Sequence, residues 1–144
     1  MKKLAALVIA TLLLAVLLLT GCSGGSGDDV IEIGERHFVN QVDEIFLNSS
    51  QYLGRTIRYA GMFRTFNWPA TGEEFYFVIR YTFGCCGEEP IGFELNPDGL
   101  DLLPNGTWVE ITGVLERYED AEFSSLLLRV VSMVELDEPG AEFV

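Results

Sequence analysis

Alternation of apolar and polar residues, repeated in five segments, is the feature that most restricts how this chain can fold. The segments run over Arg55 to Phe66, Glu74 to Phe83, Pro90 to Asn96, Trp108 to Arg117 and Leu126 to Glu135. A period of two residues places successive side chains on opposite faces of a β-strand. Residues typical of turns separate the segments, so the sequence predicts five consecutive strands.

The same alternation predicts the interior of the domain. Two segments have a face that is expected to point inward: Val109, Ile111, Gly113 and Leu115; Leu126, Leu128, Val130 and Val134. Two further segments collect their apolar residues on one face: Ile57, Tyr59, Gly61 and Phe63; Ile91, Phe93 and Leu95. In the second segment, Phe75, Phe77, Ile79, Tyr81 and Phe83 share one face. Glycines within strands commonly mark sharp bends at a barrel corner. Gly61 and Gly113 therefore favour a mainly β fold, a five-stranded OB-like barrel, with a small open sandwich as the alternative.

One helix precedes the strands. Within residues 35–48, Phe38, Val42, Ile45 and Phe46 follow the spacing of one apolar helical face. We expect residues 35–136 to form the OB-like domain with this short N-terminal helix, and residues 137–144 to form a polar tail.

The first segment, residues 1–21, has the pattern of an export signal. Lys2 and Lys3 precede an apolar run that ends in Leu19-Thr20-Gly21-Cys22. The alternative is a retained membrane helix, but the run is shorter than the roughly 20 residues that usually span a bilayer. Its end resembles a bacterial lipobox, in which the cysteine is acylated. Residues 22–34, rich in glycine and serine, predict a flexible tether. We therefore expect a lipoprotein, acylated at Cys22 by chains such as palmitate, on the extracytoplasmic side of the cell membrane.

The charge of the chain excludes some partners. Both lysines lie in the export signal, so seven arginines face 22 acidic residues in the remainder. Binding to a nucleic-acid backbone needs clustered Lys and Arg, and so does electrostatic docking on anionic lipid. We expect no nucleic-acid partner, and attachment to the membrane only through the lipid anchor.

The most chemically distinctive stretch is the adjacent pair Cys85-Cys86. Soft thiolates beside the carboxylates of Glu88 and Glu89 could hold zinc or copper. Neighbouring residues on a regular strand point to opposite faces, but Gly84 and Gly87 could release the backbone so that both sulfurs converge. His37, the only histidine, could complete such a site, although the sequence does not place it nearby and a surface position is the simpler expectation.

Two other interpretations of this pair remain open. One cysteine could pack in the core as a small apolar residue, with the other at the rim. A disulfide between the neighbours would be strained, because consecutive Cα atoms lie about 3.8 Å apart and disulfides usually join Cα atoms about 4.4–6.8 Å apart.

The same region is similar to the C-terminal domain of an uncharacterised bacterial family. The residues that carry the resemblance are Tyr52-Leu53-Gly54-Arg55-Thr56-Ile57, Tyr59-Ala60-Gly61, Phe77 to Tyr81, Cys85-Cys86, Pro90-Ile91-Gly92-Phe93 and Trp108 to Gly113. Members are described as accessory subunits of a two-component membrane permease complex. The resemblance implies an OB-like domain, an extracytoplasmic location and a permease partner. Where the family has a small residue and Asp after the cysteines, this chain has Gly87-Glu88-Glu89.

Two functions follow as hypotheses. The first is a lipid-anchored accessory or binding module whose Cys85-Cys86 pair forms a metal or redox site. The alternative is a protein-interaction domain with structural cysteines, docking through the surface-side residues Met62, Tyr76 and Trp108. An enzyme is not expected, because the chain lacks a C-x-x-C motif, a Ser-His-Asp set and a phosphate-binding glycine loop.

Overall fold

A computed structural model describes residues 30–96, 98–119 and 124–144 of the chain. The strands are β1 (Ile31–Glu32), β2 (Thr56–Asn67), β3 (Glu74–Gly84), β4 (Gly87–Asn96), β5 (Trp108–Glu119) and β6 (Ser124–Glu135), and helix α1 is Phe38–Leu47. Short 3-10 turns flank the helix at Glu35–His37 and Ser49–Gln51. The mainly β fold with one short helix is confirmed.

Five strands close into a barrel. The sheet order is β1-β2-β3-β4-β6-β5, and β5 also pairs with β2, which closes the sheet on itself. All pairs within the barrel are antiparallel except β4 with β6, which run parallel. This closed five-stranded arrangement is the predicted OB-like barrel, and the β2–β5 pairing rules out the open sandwich.

The barrel interior is the hydrophobic core, and α1 packs against it. The fully buried barrel residues include Ile57, Phe63, Phe93, Val109, Ile111, Leu115 and Leu128. From α1, Phe38, Val42 and Ile45 join the same cluster, as the helical spacing predicts. Phe46, the fourth residue of the predicted face, is 44% exposed. Burial of such side chains contributes about 1.5–3 kcal/mol each, so this cluster is the main stabilising element of the domain.

Close approaches between strands explain the predicted inward glycines. A Cβ on Gly61 would lie 2.9 Å from the carbonyl oxygen of Ile79, and a Cβ on Gly113 would lie 3.0 Å from that of Arg129. Gly92 is tighter still, because a Cβ there would overlap the carbonyl oxygen of Val78. These glycines allow neighbouring strands of a small, strongly curved barrel to approach each other.

A buried hydroxyl ties β3 to β4 at the level of Gly92. The Tyr59 hydroxyl donates a hydrogen bond of 2.7 Å to the carbonyl of Val78 and accepts one of 3.2 Å from the backbone N–H of Phe93. Complete burial raises the pKa of this hydroxyl, so it stays protonated and keeps both bonds.

One inward position is wrong, and a β-bulge is the reason. Thr112 pairs with Ser132, but Gly113 pairs with Val130, so one residue of β6 is left without a partner between them. An extra residue shifts the side-chain alternation by one. Met133 therefore packs against the core, whereas Val134, predicted to point inward, is 55% exposed.

Both ends of the predicted domain extend further than expected. Ile31 and Glu32 lie in the predicted tether but pair in parallel with Ile57 and Arg58 of β2. In the predicted polar tail, Phe143 forms a parallel bridge with Tyr81 of β3. Residues 1–29, which contain the predicted export signal, the predicted acylation site Cys22 and most of the predicted tether, lie outside the described residues.

Candidate functional site: a two-cysteine turn

Cys85 and Cys86 form the whole turn of the β3–β4 hairpin. Gly84 pairs with Gly87, so only these two residues connect the strands. The sequence predicts strands that end at Phe83 and resume at Pro90, but the ladder continues through residues 84 and 87–89. The result is a long hairpin with the two thiols at its tip.

The flanking glycines have distinct roles in this turn. Gly87 has a φ of +130°, a backbone conformation that residues with a Cβ rarely adopt. Gly84 has an ordinary φ, but a Cβ there would overlap the carboxylate of Glu89, which lies across it. The two glycines therefore make room for a tight turn and for one carboxylate beside it.

The turn brings both thiols together and keeps them exposed. Both cysteines are free and solvent-exposed, and their Sγ atoms lie 3.4 Å apart. A disulfide would require about 2.05 Å, so the two sulfurs are not bonded to each other in this structure. Two sulfurs bound to one tetrahedral zinc, each at about 2.3 Å, would lie about 3.8 Å apart, a few tenths of an ångström from the observed spacing. The exposure of both side chains does not fit the interpretation in which one of them packs in the core.

The structure does not gather the other predicted ligands into one cluster with these thiols, although the Glu89 carboxylate lies across Gly84 beside the turn. Glu88 lies opposite Phe83 and Glu89 opposite Thr82 in the β3–β4 ladder. His37 is exposed at the start of α1. In the described part of the chain, no group of three or more His, Cys, Asp or Glu side chains could share one metal ion. The metal role of Cys85, Cys86, Glu88 and Glu89 stays a prediction.

An aromatic stack beside the tip was not predicted. The Phe83 ring stacks on Phe143 with centroids 5.0 Å apart, yet Phe83 remains 73% exposed. The backbone N–H of Tyr81 donates to the carbonyl of Glu142 at 2.8 Å, and the N–H of Val144 donates to the carbonyl of Tyr81 at 2.9 Å. The C-terminal residues thus support the outer half of β3, residues 80–84, which extends beyond the pairing with β2. The apolar pair Phe143-Val144 is the sequence signal that could have revealed this contact.

A buried arginine marks the point where β3 leaves β2. Arg80 is 4% exposed and donates hydrogen bonds to the carbonyls of Ala60 and Ala141 and to Glu35 Oε1, at 2.7, 3.0 and 2.7 Å. Its guanidinium lies 5.3 Å from the ring centroid of Phe38 and 5.2 Å from that of Trp108. These contacts satisfy a buried charge and join the N-terminal segment, the barrel and the tail.

Glu35 is the acidic partner of this arginine. The hydrogen bond from Arg80 lowers the pKa of the Glu35 carboxyl, and the backbone N–H of Ala141 lowers it further by donating at 2.8 Å. The carboxylate therefore keeps its charge, and its ion pair with Arg80, to lower pH than an unperturbed glutamate would.

The predicted docking face is not an exposed surface. Met62 is 4% exposed, and Tyr76 and Trp108 are partly buried. The ring of Trp108 lies against the Arg80 guanidinium. The ring of Tyr76 stacks on that of Phe63 with the centroids 6.2 Å apart. Met62 and Trp108 therefore serve the packing of the domain, and Tyr76 is only partly covered.

Comparison with known families decides the relationship of the chain. A model of the family described as DUF1980 C-terminal domain matches residues 22–144. The chain belongs to this family. The match includes the two-cysteine turn and every described strand, which confirms the resemblance found in the sequence. No curated protein and no solved structure matches the chain significantly. Among the described residues, no helix is both long enough and apolar enough to cross a bilayer.

Proposed function

We propose that this DUF1980 C-terminal domain is a lipid-anchored, extracytoplasmic accessory module that presents a dithiol metal site to a membrane permease. The observation that carries the proposal is the exposed Cys85-Cys86 turn with sulfurs 3.4 Å apart. Thiolates select zinc and cuprous ions over hard cations such as magnesium. A thiol pair at a projecting tip is accessible both to a metal ion and to a partner.

The proposed site is open. Two thiolates fill two of the four positions that zinc prefers, and an open position is what allows a metal ion to exchange ligands. Glu89 is the carboxylate best placed to support the site, because it lies across Gly84, directly before Cys85. The remaining positions are left to water or to a donor from the partner.

The proposed location of the domain at the membrane rests on the sequence. Leu19-Thr20-Gly21-Cys22 resembles a lipobox, and two or more acyl chains on Cys22 would anchor the protein stably. We expect Cys22→Ala to abolish palmitate labelling and to leave the precursor uncleaved. An unlabelled, membrane-free wild-type protein would contradict the anchor.

The permease partnership rests on the description of related family members. In the proposed arrangement, wild-type protein purified from membranes in a mild detergent brings a permease with it, whereas the Cys22→Ala protein, which carries no acyl chains, recovers much less. A Cys85→Ser/Cys86→Ser protein that recovers the permease but holds no metal would separate docking from metal binding.

Metal binding has its own test. Reduced protein, purified without oxidation, is titrated with zinc and with cuprous ion against a chromogenic chelator. We expect about one equivalent to bind, with loss of binding in Cys85→Ser and in Cys86→Ser and weaker binding in Glu89→Gln. Because each thiol must lose a proton to bind the metal as a thiolate, metal affinity should fall as the pH is lowered. His37→Ala, which alters an exposed residue, serves as the control.

A protein-interaction domain remains the second candidate, and the exposed ring of Phe83 favours it. An aromatic side chain that is 73% exposed beside the thiols is an unusual surface feature that could anchor a partner. If Phe83→Ala prevents recovery of the permease while metal binding is unchanged, the tip acts through apolar docking.

A further inference from the structure

The two thiols at the hairpin tip are close enough to react with each other. Their Sγ atoms lie 3.4 Å apart, and a disulfide needs about 2.05 Å, so the sulfurs have to approach by about 1.4 Å. Cys85 and Cys86 are exposed, and they alone connect β3 to β4. The approach of the sulfurs therefore displaces no buried side chain of the barrel.

The neighbour is the only intramolecular partner that either thiol has among the described residues. The chain contains three cysteines, and the third, Cys22, lies outside the described residues and is the predicted acylation site. An acylated sulfur is not a thiol and cannot form a disulfide. Oxidation within one domain therefore leads to a single product, a disulfide between Cys85 and Cys86.

Such a disulfide would open again easily. Consecutive Cα atoms lie about 3.8 Å apart, below the usual disulfide range of about 4.4–6.8 Å, so the bond between neighbours is strained. Strained and exposed disulfides are more readily reduced than structural ones. Gly84 and Gly87 flank the pair, and glycine tolerates the changes in backbone angles that closing and opening require. These features favour a reversible bond over a permanent cross-link.

Oxidation and metal binding compete for the same two sulfurs. Zinc and cuprous ions are held by thiolates, and a sulfur in a disulfide no longer carries the negative charge that binds them. In the described chain, no group of three or more His, Cys, Asp or Glu side chains could hold the metal instead. A metal ion bound to both sulfurs, in turn, keeps the thiolates from reacting with an oxidant.

We propose that Cys85 and Cys86 are a redox gate: a low-molecular-weight disulfide oxidises them to an internal disulfide, and the bound metal ion is released. This inference rests on the proposed function and adds its regulation. One cysteine thiolate attacks the small disulfide, which forms a mixed disulfide and expels one small thiolate. The neighbouring thiolate attacks the protein sulfur of the mixed disulfide and expels the second. Each expelled thiolate takes up the proton that a cysteine lost, so two electrons and two protons pass to the oxidant.

Glutathione disulfide is the probe for the closing step. Full-length protein in detergent is reduced, freed of metal with a chelator and treated with this oxidant, and intact mass and free thiols are measured. We expect the wild type to lose both tip thiols and the mass of two hydrogen atoms, to retain no glutathione, and to recover both thiols in dithiothreitol. Cys85→Ser and Cys86→Ser each keep one tip thiol and are the matched controls. Each should stop at the mixed disulfide with one glutathione attached.

Zinc tests the connection between oxidation and metal binding. When free zinc is present at about one hundred times its Kd, about 1% of the protein lacks metal, so oxidation should slow about a hundredfold. Magnesium, which thiolates bind poorly, is the control and should not slow it. The oxidised protein should bind no zinc until dithiothreitol restores the thiols.

The failure of the gate and the failure of the metal site give different results. Reduced wild-type protein that binds zinc, but that stops at a mixed disulfide or forms disulfides between molecules, would overturn the gate and leave the proposed function intact. Zinc binding that is equal in oxidised and reduced protein would also overturn it. An internal disulfide in a protein whose reduced form binds no zinc would overturn the proposed function, and with it the release of metal by oxidation.

Discussion

The two halves of β3 differ sharply in what determines their residues. In the barrel half, Val78 is fully buried, and its carbonyl is bonded by the Tyr59 hydroxyl. In the outer half, β3 has left β2, Phe83 is 73% exposed and the turn that follows holds two exposed thiols. Packing explains the residues of the first half. It does not explain adjacent cysteines at an exposed tip, where a stable turn needs only the two glycines.

The boundary between the halves is Arg80. Its hydrogen bond to the carbonyl of Ala60 gives this β2 carbonyl a donor at the point where β3 leaves β2. Its bonds to Glu35 and Ala141 connect the two ends of the domain. The barrel half is therefore held by apolar burial, and the outer half is attached to it by one charged residue and the C-terminal segment.

Loss of this attachment should produce the largest effect. Arg80→Met keeps much of the apolar length but removes three hydrogen bonds and leaves the carbonyl of Ala60 without its donor. We expect a loss of about 3 kcal/mol in the free energy of unfolding, measured by urea denaturation. Arg36→Met, at an exposed arginine next to Glu35, should change stability by less than about 0.5 kcal/mol. Equal effects of the two variants would contradict the role of Arg80.

Overpacking of the barrel half should have the next largest effect. Gly113→Val introduces a side chain whose Cβ alone would lie 3.0 Å from the Arg129 carbonyl oxygen and from Leu128 Cβ. We expect destabilisation by about 2 kcal/mol in the same urea experiment. Gly34→Ala is the matched control, because a Cβ there meets no atom within 4 Å. A Gly113→Val protein as stable as the wild type would show that the strands can separate at this point.

Acid should weaken the attachment through Glu35. Arg80 lowers the native pKa of this carboxyl, so its contribution is complete above the unfolded-state pKa of about 4.3 and is lost as the pH falls through the lower native value. The thermal midpoint of the wild type should therefore drop more steeply below about pH 5 than that of Glu35→Gln, which is already weakened at pH 7. Asp43→Asn, on the exposed side of α1, should follow the wild-type profile. Parallel profiles of wild type and Glu35→Gln would contradict this linkage.

Local patterns predicted the barrel half and failed at the attachments. The inward faces of β2 and β5 and the buried residues of α1 were predictable, because side-chain periodicity is written in neighbouring residues. Val134 was misplaced, because a single unpaired residue in β6 reverses the alternation without changing composition. The contacts of Arg80 with Glu35 and Ala141 span 45 and 61 residues, and no local pattern encodes such distances.

The tip was predicted in its residues and in the convergence of its sulfurs, but not in the length of its hairpin. The pair Cys85-Cys86 and its glycines stood out in the sequence, and the convergence of the two sulfurs agrees with the structure. The length of the hairpin was not predicted, because Gly84, Gly87 and the two glutamates are residue types that are typical of a loop in the sequence. Pairing across the strands organises them, and places Glu88 and Glu89 opposite Phe83 and Thr82.

The most direct test of the account combines stability and metal binding in one double variant. Cys85→Ser/Cys86→Ser should unfold within about 0.5 kcal/mol of the reduced wild type without metal, because both side chains are exposed. Added zinc should raise the thermal midpoint of the wild type and leave that of the double variant unchanged. A double variant destabilised by more than about 1 kcal/mol, together with a wild type that zinc does not stabilise, would show that the cysteines are structural and contradict the proposed site.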